Sequence, residues 1–289
     1  MQVVAFKEEA LKDFVVIKPA WIYTHLVSFI MSEHPLPKPY VQYKNGYAKL
    51  SDVVDLLKTA HPDISGEKAV QMLSELGFMI VLDHEDKALV PVKLKEQRPE
   101  KYWPKIPRDI IRDMVFGGRR HRFDGNVGPS SALFPLTQSR FYRLFLDKYN
   151  TEVPLWANGI RVTSGKYSGA VAIIEAHPDL RCIDVIVRSL LKYADHCQRL
   201  LHNLCHELTV MMVQLSPGST MQVFFLSRGE LALQSESGSL SPPEVQYTEE
   251  RVRHALEANE QVTDGHGSDP EDPGCLMISD EEFQRKRIC

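Results

Sequence analysis

The chain has 289 residues, of which 43% are apolar and 25% are charged, and its formal net charge is −4 at pH 7. This composition is typical of a water-soluble protein with one or two cores, and no apolar run reaches the roughly 18 residues that a membrane span needs. The first residues lack the long apolar segment of a secretory signal, and five widely spaced cysteines favour a reducing compartment. We therefore expect a cytoplasmic protein.

Residues 12–98 predict a unit with the order helix, strand, helix, helix, β-hairpin. In the first helix, apolar side chains repeat at helical spacing from Trp21 onward. Ser51 is a candidate N-cap for the second helix, and Gly77 follows the end of the third. Two short strands, joined by the polar tip DHEDK, complete the unit. This order is typical of a winged helix.

Winged helices often bind DNA, but the charges of this unit do not favour DNA as a ligand. The outward positions of the third helix, between Glu67 and Glu75, carry two acids and one lysine, and the tip at 83–87 carries three acids and one lysine. A DNA reader places cations on these surfaces, because neutralising phosphates supplies most of its affinity. We expect no DNA binding by this unit.

Residues 99–112 mix prolines, charges and two aromatic residues, and predict a linker laid over the protein surface. Tyr102 and Trp103, set among basic residues, would also suit stacking on single-stranded nucleic acid. A linker held down by its own aromatic side chains is the favoured interpretation.

Residues 113–234 predict an antiparallel sheet backed by one long helix. Strands are indicated at Met114–Phe116, in the alternating stretch SRFYRLFLDKYN, on both sides of Asn158-Gly159, and in GAVAIIEA and RCIDVIVRS. Asp184 and Arg188 alternate with apolar residues, which predicts a half-buried strand. The segment QVFFLSRGEL predicts a last edge strand. Between Leu190 and Leu215, apolar residues recur in steps of four and three, the pattern of a heptad seam.

The stretch DMVFGGRRHRF sets two glycines against a run of arginines. A bulge or a close backbone approach in an edge strand is the favoured interpretation of Gly117-Gly118. The arginines then lie on a strand face, where they could pair with acids of a partner domain. A phosphate cradle is disfavoured, and a basic patch for anionic lipid or nucleic acid remains the alternative.

Motifs that carry chemistry are missing from the sequence. It contains no phosphate-binding GxxxxGK[ST] or GxGxxG motif and no GxSxG nucleophile motif. In the long helix, Cys197 and Cys205 lie on the apolar stripe, whereas His202 and His206 lie on the polar side, so they cannot share one tetrahedral zinc ion. We predict no catalytic residues, no cofactor and no metal.

The segment 235–289 differs in composition from the rest of the chain. It carries 13 acidic and 5 basic residues, a balance of −8, so the first 234 residues carry +4. Rich in Ser, Gly, Pro and acid, it cannot bury enough apolar surface to offset its ordering entropy. We predict a mostly disordered acidic tail, with a short helical tendency at TEERVRHALEANE.

Several stretches, taken in order, resemble landmarks of the COR domain of Roco proteins: VVIKPAWI, GFMIVL…ALVPVKL, FPLTQSRFYRLFL and LWANGIRV. MVFGGR and SPGSTMQVFFLSRGEL are most similar to the COR segment of the death-associated protein kinase branch. The resemblance covers about residues 12–234. It implies an α+β fold with a winged-helix-like half, COR-A (12–98), a linker (99–112) and a sheet-and-helix half, COR-B (113–234).

The resemblance also implies a function. COR domains follow a Ras-like GTPase domain called Roc, with COR-A contacting the GTPase and COR-B often carrying dimer contacts. The chain is then expected to be a non-catalytic scaffold and dimerisation module whose partners are a Roc-type GTPase domain and a second copy of itself. The Roc and kinase domains of the family are absent from this sequence. The candidate structural or interface residues are Trp21, Gly117, Gly118, Arg119, Arg120, Arg122, Trp156, Asn158, Gly159, Leu201, Leu204 and Leu208.

Overall fold

A computed structural model shows an α+β protein with antiparallel sheets. The residues that it describes are 4–5, 11, 15–16, 19–31, 41–82, 85–124, 133–149, 153–163, 169–216, 218–238, 241–244 and 246–258. Two compact units divide the chain: the first holds residues 1–97, 131–147 and 155–157, and the second holds 98–130, 148–154 and 158–289. Among the described residues, none of the helices is both long and apolar enough to cross a bilayer.

The first unit follows the predicted order of elements. Strands β1 (Val4–Ala5) and β2 (Val15–Val16) pair antiparallel and precede a helical stretch made of α1 (Pro19–Trp21), a π-helical segment (Ile22–Val27) and α2 (Ser28–Met31). Then come β3 (Tyr47–Lys49), α3 (Leu50–Ala60), α4 (Gly66–Glu75), β4 (Ile80–Leu82) and β5 (Lys87–Leu89). The three strands form a sheet in the order β3-β5-β4. The buried side chains of these helices and strands form one apolar core.

The caps of α3 and α4 show how far local patterns determine their start. Ser65 caps α4, since its Oγ accepts a hydrogen bond from the backbone N–H of Lys68 at 3.2 Å. Ser51 was expected to cap α3, but that helix begins one residue earlier, at Leu50. Gly77, after α4, has the expected left-handed backbone with φ of 86°.

A tight turn precedes β3. Asn45 and Gly46 have φ of 46° and 80°, and Lys44 and Tyr47 exchange two backbone hydrogen bonds around them. This is the two-residue Asn-Gly turn that fits the twist of paired strands. The Asn45 side-chain oxygen also accepts from the backbone N–H of Lys95 at 3.0 Å and of Glu96 at 3.1 Å, which ties the turn to the end of the unit.

The stretch SRFYRLFLDKYN is a helix, so the strand prediction was wrong. It lies in α6 (Leu133–Tyr149), whose residues up to 147 belong to the first unit together with β7 (Leu155–Trp156). Apolar residues occur at both odd and even positions here, so alternation was a poor guide. The buried positions follow a helical period instead. They are Leu133, Thr137, Gln138, Ser139, Phe141, Tyr142 and Phe145.

The second unit begins with the linker that the sequence predicted. It contains a short helix, α5 (Arg108–Ile111), and Trp103 is only 5% exposed. The guanidinium carbon of Arg188 lies 3.7 Å from the centroid of the Trp103 ring, and its Nη2 donates to the Pro104 carbonyl at 2.9 Å. These contacts agree with a linker held down by its own aromatic residues.

Six strands of the second unit form an antiparallel sheet in the order β12-β11-β6-β10-β9-β8. They are β6 (Met114–Phe123), β8 (Gly159–Thr163), β9 (Val171–His177), β10 (Cys182–Leu190), β11 (Met221–Leu226) and β12 (Gln246–Thr248). The long helix α7 (Ala194–Leu215) begins four residues later than expected, because β10 runs on to Leu190. Helix α8 (Arg228–Ser237) follows β11, and α9 (Glu249–Ala258) follows β12.

The two faces of this sheet meet different neighbours. A Cβ at Gly117 would lie 3.0 Å from Cδ2 of Leu201 on α7, so we call the face of Gly117, with the alternate positions beside it, the helix face. A Cβ at Gly118 would lie 3.1 Å from Leu231 on α8, and the opposite side, with Asp184 and Arg188, is the charged face. Residues 182–189 of β10 are buried throughout, so the prediction of a half-buried strand was wrong.

Two edge predictions also fail. β6 pairs with both β10 and β11 in unbroken register, which makes it a central strand without a bulge at Gly117-Gly118. β11 pairs with β6 and β12, so it is not an edge strand either, and the residues SRGEL begin α8.

Regular structure continues past residue 234. α8 runs to Ser237, and β12 and α9 lie within 246–258, inside the segment predicted to be a mostly disordered tail. The helical tendency at TEERVRHALEANE is confirmed by α9. Residues 259–289 lie outside the described residues.

Candidate functional site

The arginines of β6 are engaged inside the second unit. Arg119, half-buried on the helix face, places its guanidinium carbon 3.6 Å from the centroid of Phe225. Arg122, half-buried on the charged face, lies 4.6 Å from that of Phe224. Both distances are within the range of cation–π contacts. The run of arginines is therefore split between two faces, because successive side chains of a strand point to opposite sides.

Arg120 forms the strongest of these contacts. Its Nε and Nη2 donate to the two carboxylate oxygens of Asp184 at 2.8 and 2.7 Å, and the Arg120 and Asp184 side chains are 7% and 0% exposed. His177 Nε2 lies 3.3 Å from Oδ2 of the same carboxylate. This is a bidentate, charge-assisted pair, with the planar geometry that arginine offers a carboxylate. The acid that pairs with the arginine lies on the adjacent strand of the same unit.

Burial and pairing act on Asp184 in opposite directions. Burial alone would raise the pKa of its carboxyl, but the hydrogen bonds from Arg120 and His177, together with their charges, outweigh burial and hold that pKa below its usual value. Asp184 is therefore ionised at neutral pH.

The two glycines allow close packing on both faces. A Cβ at Gly118 would lie 3.0 Å from Leu226 Cδ1 as well as close to Leu231. Neither Gly117 nor Gly118 has a positive φ, and both belong to a paired strand. The expected close approach is present, and the backbone has a strand conformation rather than that of a phosphate-binding loop.

A second set of charges on the charged face was missed by the sequence reading. Arg98 Nη1 lies 2.6 Å from Glu175 Oε2, and these two side chains are 7% and 13% exposed. Arg161 on β8 and Arg188 on β10 lie on the same face. The available signal was the alternation of charged with apolar residues on β10, which predicted a half-buried strand and not a buried charge.

The stripe of α7 packs as expected. Leu201, Leu204 and Leu208 are buried, whereas His202 and His206 are exposed on the other side of the helix. Burial raises the pKa of the Cys197 thiol to about 12, which makes it a weak nucleophile at neutral pH. Within the described residues, no group of three or more His, Cys, Asp or Glu side chains is placed to hold a metal ion.

The hairpin predicted around Asn158-Gly159 has a different turn. Ala157 and Asn158 form the turn between β7 and β8, Gly159 already belongs to β8, and neither Asn158 nor Gly159 has a positive φ. Asn158 instead accepts a backbone hydrogen bond from Ala176 at 2.8 Å. Trp156 is 1% exposed, and its carbonyl accepts from the Gln138 side chain at 2.7 Å, so its position is structural.

Trp21 belongs to a cluster of rings in the first unit. It stacks on His25 with a centroid distance of 5.4 Å, and His61 meets both at 5.8 and 5.2 Å. His61 Nε2 also lies 2.7 Å from the carbonyl oxygen of His25, at the π-helical turn. Trp21 therefore joins the first helical stretch to the end of α3.

The chain matches no protein-family model, and it shows no significant similarity to a curated protein.

Proposed function

We propose that the chain is a non-catalytic scaffold and dimerisation module of the Roco type, which couples a Ras-like GTPase domain to neighbouring signalling domains. In this proposal the first unit corresponds to COR-A and binds the GTPase domain, and the second corresponds to COR-B and carries the dimer contact. The protein acts in the cytoplasm, where its buried thiols Cys182 and Cys197 would stay reduced.

The observation that carries this proposal is the contact between α6 and α4. In a winged helix, α4 would be the helix that reads DNA. Here Arg143 of α6 donates to the Ser74 side chain at 2.7 Å and to the Met79 carbonyl at 3.3 Å, so that protein covers this side of α4. A helix in this position supports a protein-contacting unit rather than a DNA reader.

The three-stranded sheet supports the same reading. In our proposal its order β3-β5-β4, with β3 before α3 and the β4–β5 hairpin after α4, corresponds to a winged helix, and the turn between β4 and β5 corresponds to the wing tip. At this tip the side chains of Glu85 and Asp86 are 58% and 53% exposed. Asp83, also assigned to the tip, lies outside the described residues. Glu85 pairs with Lys87 at 2.6 Å and Asp86 with Lys49 at 3.9 Å, so these four side chains offer a phosphate backbone no excess of positive charge.

The second unit offers a surface for dimerisation on α7. Val210 and Val213, one helical turn apart, are 37% and 66% exposed, on the side of the helix away from the sheet. An isolated exposed valine needs no explanation, but two adjacent ones on a rigid helix form an apolar strip that a second copy can cover.

Light scattering of the full chain tests the dimer. We expect the apparent mass to rise from low to high micromolar concentration in the wild type, and Val213→Glu to abolish the rise. Leu180→Glu is the matched control, because Leu180 is also exposed, at 48%, but lies in the β9–β10 turn. A strictly monomeric wild-type chain, even with a Roc-type GTPase domain added, would refute the dimerisation role.

Calorimetry with a Roc-type GTPase domain tests the proposed binding of the GTPase domain by the first unit. Binding should depend on whether GDP or a GTP analogue is loaded, and Glu85→Lys should weaken it. Glu244→Lys makes the same charge change in the second unit and should have no effect. Equal affinity of the wild type and Glu85→Lys would argue against the wing tip as the contact.

Binding of anionic lipid or nucleic acid through Arg119, Arg120 and Arg122 is the alternative function. The contacts of these arginines with Phe225, Asp184 and Phe224 disfavour it. A salt-sensitive interaction with anionic vesicles or nucleic acid, lost in the half-buried pair Arg119→Gln and Arg122→Gln, would revive this alternative.

A further inference from the structure

One part of the charged face holds more positive than negative charge. The arginine cluster consists of Arg98, Arg161 and Arg188, and the carboxylate paired with it is Glu175, through Arg98. Asp184 lies on the same face, but both of its oxygens are engaged by Arg120, and Oδ2 also meets His177. Among the residues that the structure describes, three guanidinium groups with one paired carboxylate leave an excess of two positive charges.

Sheet register brings these arginines together. Arg161 of β8 aligns with Ile173 of β9, and Arg188 of β10 aligns with Val171, the next position on the same face of β9. The two arginines are thus two strands and one register step apart, within reach of their long side chains. Burial, and next the charges of Arg161 and Arg98, lower the pKa of Arg188 to about 10.

Two hydrogen-bond donors in the arginine cluster lack an acceptor among the described residues. Arg188 is 6% exposed, and although its Nη2 donates to the Pro104 carbonyl, its Nη1 is buried without an acceptor among the described residues. Within that same part of the chain, Arg161 Nε is also buried without an acceptor. An unpaired buried donor is costly, and more so when it carries charge, because it has lost water and gained nothing in exchange.

We propose that the arginine cluster is a binding site for a small oxyanion, either a phosphate or a carboxylate group. An oxyanion supplies what the cluster lacks: negative charge against the excess of two, and acceptor oxygens for Arg188 Nη1 and Arg161 Nε. Guanidinium groups are the preferred donors for such ligands, since their planar nitrogen pairs match carboxylate and phosphate oxygens. Water could accept the two hydrogen bonds, but it would leave the excess charge uncompensated.

The arginine cluster lies where the linker contacts the sheet, so a bound anion would affect that contact. Arg188 stacks on Trp103 and bonds to Pro104, so an anion bound to Arg188 would strengthen the attachment of the linker to the sheet.

Thermal unfolding of the full chain in potassium phosphate and in potassium chloride, at equal ionic strength, tests the site. In the wild type, we expect the melting temperature to rise with phosphate along a saturating curve, because a ligand that binds only the folded state stabilises it. Arg161→Gln should weaken the apparent affinity at least about tenfold, which corresponds to one lost hydrogen bond to a charged group. Arg199→Gln makes the same change at an exposed position of α7 and should respond like the wild type.

Phosphate also stabilises proteins by exclusion from their surface, an effect that all three proteins share. The difference between wild type and Arg161→Gln is therefore the measure of binding. The same titration with acetate identifies the source: a saturable response that needs Arg161 would point to a carboxylate ligand, and a response to phosphate alone would point to a phosphate ligand.

A measurement on the unaltered chain avoids reliance on folding of the variant. The side-chain Nε–H resonance of Arg161 should shift and saturate as phosphate is added, while that of Arg199 stays in place. The inference is overturned if the Arg161 resonance does not respond to either anion, or if the wild type and Arg161→Gln are stabilised equally.

Discussion

Both faces of the sheet in the second unit are buried beneath other elements, but their side chains make different kinds of contact. On the helix face, valine and isoleucine side chains meet the apolar stripe of α7, and Gly117 lets Leu201 approach. On the charged face, the side chains of Arg120 and Asp184 are buried to a similar extent but pair with each other. Apolar contacts tolerate small changes, whereas a buried charge depends on its partner.

The largest effect should come from breaking the pair on the charged face. Asp184→Asn removes the carboxylate that accepts from both Nε and Nη2 of the buried Arg120, and the expected loss of stability is about 3–5 kcal/mol. Urea denaturation followed by circular dichroism measures it. Asp179→Asn, at an exposed position in the turn between β9 and β10, should change stability by less than about 0.5 kcal/mol.

A variant that lacks both charges shows how much of the lost stability comes from leaving Arg120 without the Asp184 carboxylate and how much from losing the ion pair itself. The double variant Arg120→Met with Asp184→Leu should recover most of the loss, because apolar residues of similar size often replace a buried ion pair without penalty. A double variant as unstable as Asp184→Asn would mean that the face needs the pair itself.

This comparison also explains where reading the sequence succeeded. The order of elements in the first unit and the seam of α7 were predicted, because helical periodicity and turn residues are local signals. Gly77 follows α4 with the expected left-handed backbone, and Leu201, Leu204 and Leu208 repeat at the spacing of a buried stripe, whereas Ser51 does not cap α3 as predicted. Such signals need no knowledge of what packs against them.

Predictions failed where the burial or conformation of a residue depended on contacts with residues that are distant in the sequence. Asp184 and Arg188 suggested a solvent-facing side of β10, since nothing nearby showed that Arg120 and the linker would cover them. Of the two Asn-Gly pairs, only Asn45-Gly46 adopts the left-handed turn, and it is the pair whose side chain also bonds to residues about 50 positions away. The paired charges of the candidate site could not be recognised before the register of the strands was known.

The helix face should have a pH dependence that the charged face does not share. His121 is 1% exposed, and neither of its ring nitrogens has a hydrogen-bond partner. Burial, followed by the charge of Arg119, lowers its pKa to about 4, against the attraction of Asp184. Since the unfolded chain binds the proton at about pH 6.5, this contribution to stability is present above pH 6.5 and is lost as the pH falls towards 4.

The expected loss over this window is about 3 kcal/mol. The measurement is the free energy of unfolding between pH 7 and pH 4 in the wild type and in His121→Leu, which should lack this part of the slope. His206→Gln, at an exposed position of α7, should keep it. Asp184 affects stability over a different pH range. Because its pKa is lowered in the folded state, its contribution to stability is fully present above the usual carboxyl pKa and is lost as the pH falls through the lowered value. Equal slopes in the wild type and His121→Leu would show that His121 does not carry the effect.

The smallest expected changes in stability come from alanine substitutions at the two adjacent glycines of β6. A Cβ at Gly118 would meet Leu226 at 3.0 and 3.1 Å and Leu231 at 3.1 Å, whereas a Cβ at Gly117 would meet one methyl group of Leu201 at 3.0 Å and Val187 at 3.5 Å. Gly118→Ala should cost about 1–2 kcal/mol through overpacking. Gly117→Ala should be close to neutral, because a single leucine methyl can move and alanine restricts the unfolded chain more than glycine does. Urea midpoints of the two variants measure the difference, and equal destabilisation would mean that the helix face is packed as rigidly as the charged face.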